Sequence, residues 1–499
     1  MSSDSDHQPA GLPVPNPTKS FWHSEPNEFL LGHRTTPDLP AEADIVIVGS
    51  GITGTSAARF LAEDPRAKGR SVVMLEAREA CWGATGRNGG HCQVLPIARA
   101  LDVTQFEVAN YNTVKAYIEA HNVACEWRSL TACRAYFSRE MFDVAEAEIA
   151  GLKEKDPELG KLVAAFSDKD SLAKLRVPAA AGATTCAAAA SLWPYKLITF
   201  MLEKLVKDGK LNLQTHTPVE RITPSSDGDA TYPTILHTPR GTLRAKHVIL
   251  ATNGWTSHLL PTLADLIVPV RGEMSALLPP ANAPRLTSSY GLCGQKGQPA
   301  NSDDYLNQRP YEGVPNPAGH YMFGGGDGAA VKRRIGAWDD GVVDEGMAGW
   351  LRGRLAQAVD LGGDEVQGEL RAANEWSGVM GYSRDNVPWV GGVPGQKGVW
   401  LAGGYTGHGM PNGSLCGKAV TELLLASDEG IASSAAHERV ISAVPLPRSY
   451  LITEERIAKA RRLPSVEQAD RDEAIGNHAR QEGEPGRELE GGGKVWGKI

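Results

Sequence analysis

Three observations predict a mixed α/β fold in which a parallel-sheet unit is interlocked with an antiparallel-sheet domain. The apolar run Ala43 to Val48 leads directly into Gly49-Ser50-Gly51-Ile52-Thr53-Gly54, a second apolar run from Ser71 to Leu75 ends in Glu76, and residues 266–370 hold short strand-like pieces. A chain of 499 residues exceeds one ordinary core, so two domains with terminal extensions are expected.

Residues 1–40 read as an arm without periodicity, which Phe21 and Trp22 can pin to the body. Ala43 to Val48 is the kind of run that a parallel sheet buries on both faces, Thr53 to Ala62 spaces Ala57, Ala58, Phe60 and Leu61 as a helix does, and Ser71 to Leu75 returns as a strand. That is a β–α–β unit. From 105 to 175, Phe106, Val108, Val114, Tyr117 and Ile118, then Met141, Val144, Ala147 and Ile149, recur at helical intervals, so the stretch reads as amphipathic helix covering a sheet. Pro178 to Ser191 is rich in Ala, Gly and Thr, too short and too weakly apolar to cross a bilayer. A helix begins at Trp193-Pro194-Tyr195, carries Leu197, Ile198, Met201, Leu202 and Leu205 on one face, and ends at Gly209. Strand-like runs follow at 211–215, 235–237, 248–251, 267–270, 274–277, 305–307 and 321–323, then a polar helical stretch. Val399 to Ala402 is the last strand, followed by a glycine-rich turn and a helix over 414–426; beyond about 450 the composition is charged and Gly-rich, which predicts a loosely held end. The expected division is an arm at 1–40, a nucleotide-binding domain from 41–105, 190–265 and 371–430, a substrate domain from 106–189 and 266–370, and an extension at 431–499.

The formal charge of −8, with Lys and Arg dispersed, argues against nucleic acid or a polybasic membrane surface and for a small-molecule partner. Seven cysteines without a C-x-x-C pair suit thiols in a reducing compartment, and the polar, proline-rich first forty residues hold no signal-peptide core, so the cytosol is the expected location. No metal is expected.

The glycine hexad fits G-x-G-x-x-G between a strand and a helix: Gly49 permits the tight turn, Gly51 lets the backbone approach a pyrophosphate, and Gly54 lets helix and strand pack closely. Glu76 closes the next strand, where a carboxylate accepts ribose hydroxyls. A second copy, Gly324 to Ala329, is followed by Lys332-Arg333-Arg334 instead of an apolar helix and reads as a strand end and turn. One dinucleotide site remains, which disfavours a monooxygenase that also binds a pyridine nucleotide. Three further motifs stand out: Gly83-Ala84-Thr85-Gly86-Arg87-Asn88-Gly89-Gly90-His91, Ala251-Thr252-Asn253-Gly254-Trp255, and Gly403-Gly404-Tyr405-Thr406-Gly407-His408-Gly409-Met410.

Together these four motifs, spread over residues 43–425, resemble the D-amino-acid-oxidase-type superfamily of FAD-dependent oxidoreductases, most closely its amine-oxidising, gamma-glutamylputrescine-oxidase-like branch. The resemblance implies a Rossmann-like FAD-binding domain interlocked with an antiparallel-sheet substrate domain, with FAD held noncovalently. It places Gly49, Gly51, Ile52, Thr53, Gly54, Glu76 and Ala77 at the pyrophosphate and ribose. Gly83, Thr85, Gly86, Arg87, Asn88, Gly89 and Gly90 run beside the pyrophosphate and bring His91 and Cys92 toward the flavin, while Val219 meets the adenine side through its backbone. Thr252, Asn253, Gly254 and Trp255 complete the cofactor set with Gly404, Gly407, His408, Gly409 and Met410. Catalytic roles fall to His408, Tyr405, Arg87 and His91. The fourth motif precedes a helix, whose positive N-terminus, with His408, suits the anionic N1–C2=O edge of reduced flavin.

The implied reaction is hydride transfer from the carbon bearing a nitrogen to flavin N5, with oxygen as the final acceptor. Amino-acid-oxidising relatives clamp the substrate carboxylate with an Arg where this chain has Met380. An amine without that carboxylate is therefore the expected substrate, although Arg271 or Arg309 could supply a clamp from another strand. Arg384 falls one turn too late and reads as the partner of its Asp neighbour; Lys332, in a basic run, reads as a surface lysine. A D-amino-acid or N-methyl-amino-acid oxidase or dehydrogenase is the alternative, and a flavin-bound, non-catalytic binding protein a second.

Overall fold

A computed structural model describes residues 8–97, 99–225, 231–295, 303–312, 319–364 and 368–470. Two sheets dominate them. In the first, Glu42–Val48 lies in the middle, parallel to Val72–Leu75 on one side and to Gly241–Leu250 on the other. Val399–Gly403 extends it in parallel and Trp389–Gly392 closes that edge antiparallel. Ile45, Val46 and Ile47 are fully buried because helices cover one face and a separate apolar cluster the other, as the unbroken apolar run requires. The helix Ile52–Glu63 starts at the glycine turn with Gly51 as its N-cap and no capping side chain. It packs against Gly413–Asp428, where a Cβ on Gly417 would stand 2.6 Å from the Thr53 carbonyl oxygen.

The second sheet is mixed, its strands running in the order Ala372–Ser383, Ile267–Leu277, Tyr321–Gly325, Asp303–Gln308, Ser288–Cys293, Arg128–Tyr136, Gly182–Ser191 and His91–Gln93. Most neighbours pair antiparallel, the exception being Ser288–Cys293 beside Arg128–Tyr136. Both His91–Gln93 and Ala372–Ser383 belong to this sheet, although they flank glycine motifs in sequence. The two expected strands at 267–270 and 274–277 are one, Ile267–Leu277, which pairs with Ala372–Ser383 along its whole length.

The continuous helical reading of 105–175 is corrected. Helices Leu101–His121 and Arg139–Lys155 are separated by the strand Arg128–Tyr136, and Val163–Phe166 is a further strand. The Ala-rich stretch is also a strand, Gly182–Ser191, bonded to three others. Small side chains override their helix preference here because they let covering helices approach: a Cβ on Gly182 would stand 2.3 Å from Phe142. The Gly324 segment is a strand end followed by the turn Asp327–Ala329, as expected.

Phe21 and Trp22 do anchor the arm, at 2% and 1% exposure. The extension is packed as far as residue 470, with Val440, Leu446, Tyr450, Ile452 and Val466 buried; the Gly491-Gly492-Gly493 end lies outside the described residues. All seven cysteines are buried and free. Among the described residues no helix is long and apolar enough to cross a membrane, and no group of His, Cys, Asp and Glu could hold a metal ion.

Candidate active site

A cavity of ≈ 350 Å³ opens where the parallel strands end, at Val48, Leu75 and Ala251, and continues onto the second sheet. Ligands collect at this end of parallel sheets because strand ends and helix starts leave backbone N–H groups unsatisfied. Gly49 adopts φ +103°, and a Cβ there would stand 2.8 Å from the Ala251 carbonyl oxygen, so the turn admits glycine alone. Glu76 holds this turn: Oε2 accepts from Ser50 N at 3.0 Å and Ser50 Oγ at 2.5 Å, and Oε1 accepts from Arg78 N at 3.0 Å.

Of the residues expected from sequence, Gly49, Gly51, Ile52, Thr53, Glu76, Ala77, Gly83, Thr85, Arg87, Asn88, Gly89, His91, Val219, Thr252, Asn253, Trp255, Tyr405, Gly407, His408, Gly409 and Met410 line the cavity. Gly54, Gly86, Gly90, Gly254 and Gly404 do not; they are packing positions. A Cβ on Gly54 would fall 2.0 Å from the Gly49 carbonyl oxygen, one on Gly86 2.1 Å from that of Cys81, and one on Gly254 2.8 Å from that of Met380.

The motifs are bonded to one another. Thr85 Oγ1 accepts from Ile52 N at 3.0 Å, which ties the second glycine loop to the first. Thr53 Oγ1 and Tyr405 Oη lie 2.7 Å apart, joining the first motif to the last. Asn253 Oδ1 accepts from Gly404 N at 3.0 Å, joining the third to the last. Burial pushes the Tyr405 phenol well above its usual range, so it stays protonated as part of this lattice.

Arg87 lines the cavity, but its guanidinium is held from behind. Nε donates to the Ser377 carbonyl at 2.7 Å, Nη2 donates to Thr18 O and Oγ1 at 2.5 and 2.6 Å, and Asp340 lies 3.4 Å away. Desolvation lowers it to about 10 against the pull of Asp340, so it remains a cation. Asp340 also takes a bidentate grip from Arg78, at 2.9 and 3.1 Å, another cavity residue. His91 is partly buried, and desolvation of its ring pushes it down to about 4, hence neutral. Its Nε2 has no hydrogen-bond partner, and neither has Arg87 Nη1 or Trp255 Nε1. Unsatisfied buried polar atoms around a glycine-lined cleft fit a polar ligand such as FAD, whose phosphates and ring edges would meet them. Cys92 lies outside the wall, its thiol pushed up to about 12 by burial, so no thiolate stands ready for a flavin linkage.

Met380 lines the wall. Neither alternative clamp does: Arg271 donates to the carbonyls of Asp339 and Arg333, and Arg309 pairs with Glu126 at 2.6 Å while stacking on Phe21 and Trp193. Arg384 reaches Leu463 O rather than its Asp neighbour; Asp385 pairs with Arg456. Lys332 is exposed, with Nζ on Val343 O. Sequence reading missed Arg78, Gln93, Arg134, Glu273, Met274 and Tyr305, which also line the cavity. Five of these six sit in strands, or at a strand end, of the second sheet, where only non-local register reveals the facing side; Arg78, two residues past Glu76, was within local reach.

The chain matches the family described as "FAD dependent oxidoreductase" (DAO) over residues 44–423. It is 22% identical over 407 residues to a Haemophilus influenzae protein named "Probable oxidoreductase OrdL", covering 78% of this chain and 84% of that one. An 88-residue stretch is 35% identical to the gamma-glutamylputrescine oxidoreductase of Escherichia coli, covering 18% of this chain and 19% of that one. The crystal structure of glycine oxidase from Geobacillus kaustophilus superposes with a TM-score of 0.62 at 21% identity, over 82% of this chain and 99% of that one. With two interlocked sheets, a glycine-lined cleft at the parallel strand ends and a family match across most of its length, the chain belongs to the DAO family of FAD-dependent oxidoreductases.

Proposed function

We propose that this protein oxidises the C–N bond of a small amine to an imine. FAD, when held by the glycine-lined part of the cleft, would supply the two-electron acceptor for the substrate's hydride, with oxygen as the final acceptor reduced to hydrogen peroxide. The carrying observation is the cavity floor: Met274 and Tyr305, whose hydroxyl donates to the Met274 sulfur at 2.9 Å, face the glycine loop with Met380 in the wall and no arginine at that place. Hydride loss requires the neutral amine, and a dry thioether and aromatic floor disfavours the ammonium form. His91 supports this reading, since a neutral ring with an unpartnered Nε2 offers the cavity a polar atom without a charge. Thr53, Asn253 and Tyr405 keep the last motif against the glycine turn, holding the start of the helix Gly413–Asp428 near the cleft.

The test is the visible spectrum of the holoprotein mixed without oxygen with primary amines, N-methylated amines and D-amino acids. Bleaching by an amine class, reversed by air with peroxide released, is expected. Bleaching by α-amino acids alone would replace the amine reading, and a flavin that nothing bleaches would leave a binding protein.

A further inference from the structure

We propose that the N-terminal arm builds the adenine end of the FAD site. It holds His258 in the tautomer that accepts from the exocyclic amine of the base, with the indole N–H of Trp255 as the matching donor and Leu12 and Pro13 closing over the ring. The inference does not depend on which substrate is oxidised.

The arm is tied to one corner of the cleft. Ala10 N donates to Ser257 Oγ at 3.0 Å, Ala10 O lies 3.1 Å from His258 Nδ1, and Arg78 Nη1 donates to Val14 O at 3.4 Å. Between these ties, Leu12 and Pro13 line the cavity together with Trp255 and His258. Arg78 connects the corner to the expected ribose site: its backbone N–H donates to Glu76 Oε1 at 3.0 Å, and its guanidinium lies 5.5 Å from the Trp255 ring centroid. Val219, expected beside the adenine, shares an apolar cluster with Leu259, the neighbour of His258. Residues 10–14 precede the stretch that matches the family, so this wall is built outside the shared domain.

Two buried polar atoms in this corner have no partner, Trp255 Nε1 and His258 Nε2. A carbonyl only accepts, so the hydrogen of the neutral His258 ring sits on Nδ1, toward Ala10 O, and Nε2 keeps its lone pair. The corner therefore offers one donor and one acceptor. Adenine presents the complement, an exocyclic N–H donor beside a ring-nitrogen acceptor. Hypoxanthine, with a carbonyl in place of that amine, would set acceptor against acceptor. A buried polar atom left in that state weakens binding by about 10- to 100-fold.

Holoprotein dialysed at about pH 8, where an ordinary imidazole is neutral, against equal FAD and its hypoxanthine analogue reads the base without turnover once the bound cofactors are released and separated. The native protein should retain FAD over the analogue by at least about tenfold, and in His258→Phe the ratio should fall to about one. Should His258→Phe fail to fold, His258→Gln, whose amide can turn either a donor or an acceptor to the base, should level the two cofactors as well. Gly11→Val tests the arm in the full chain. Even a Cβ at Gly11 would stand 2.5 Å from Trp338 Nε1 and 3.0 Å from Cε2, so the larger side chain lifts the arm at that point while Trp22 stays buried. Its FAD ratio should fall, and exchange of bound FAD for excess analogue should quicken by about tenfold. A general folding defect weakens both cofactors and leaves their ratio alone. Equal retention by the native protein, or a preference unchanged in both histidine variants, would overturn the adenine assignment. A preference and an exchange rate unchanged in Gly11→Val would overturn the arm's part in it.

Discussion

Replacing Glu273 with Gln should stabilise the protein at neutral and alkaline pH and leave it unchanged in acid. Glu273 is 3% exposed, its Oε1 accepts from Asp344 N at 3.0 Å, and its Oε2 has no hydrogen-bond partner. Burial pushes this carboxyl up to about 8 from an ordinary 4.5, the neighbouring Arg271 charge offsetting only part of the effect. The sign follows from linkage. Below the ordinary value both folded and unfolded chains hold the proton, and the acid form carries no penalty. Between 4.5 and about 8 the unfolded chain releases it while the folded chain keeps it. Stability therefore falls by about 1.4 kcal/mol per pH unit, reaching about 3 kcal/mol at pH 7 and levelling near 5 kcal/mol above pH 8. Gln retains an amide oxygen for Asp344 N and does not titrate. Urea midpoints of both proteins, taken at pH 4, 7 and 8.5 with equal FAD loading, should coincide at the first value and diverge in favour of Gln at the others. Parallel curves, or a variant weaker at pH 8.5, would refute the buried neutral carboxyl.

Two further outcomes follow from geometry. Gly54→Ala puts a Cβ 2.0 Å from the Gly49 carbonyl oxygen, forcing helix and strand apart by an overpacking cost of about 1–3 kcal/mol, and the purified protein should lose most of its bound FAD by its absorbance ratio. Asp340→Asn leaves Arg78 and Arg87 as buried cations without their carboxylate and should destabilise by about 3–5 kcal/mol in thermal or urea unfolding; a change under 1 kcal/mol would contradict the ion-pair role.

The first sheet was legible because its information is local. A buried parallel strand announces itself as Ala43 to Val48, and the turn after it must be glycine for reasons of space. The glycine-lined part of the cleft was legible likewise, motif by motif. The wall formed by the second sheet was hidden. Arg134, Tyr305 and Met274 lie far apart in sequence and meet only through strand register, which a chain read residue by residue does not reveal. Gly182 to Ser191 went unassigned for a related reason: alanine favours helix in isolation, and only the helices crowding that strand make small side chains the fitting choice. Arg87 was seen as a cavity cation, yet the Thr18, Ser377 and Asp340 contacts that hold its guanidinium come from three distant segments.

The arm fixes the order in which this molecule can be completed. Thr18 is bonded to Asp340 and Ser377, Ser20 Oγ donates to Gly86 O at 2.8 Å, Trp22 Nε1 donates to Asn88 O at 2.5 Å, and Leu12 and Pro13 line the cavity. Thr18 is thus stapled to partners that emerge more than three hundred positions after it. The wall around the second glycine loop cannot close during synthesis, since its outer layer waits for the strand Ala372–Ser383 to arrive. Until then the cleft lies open along that side, and docking of the arm is the late step that seals it.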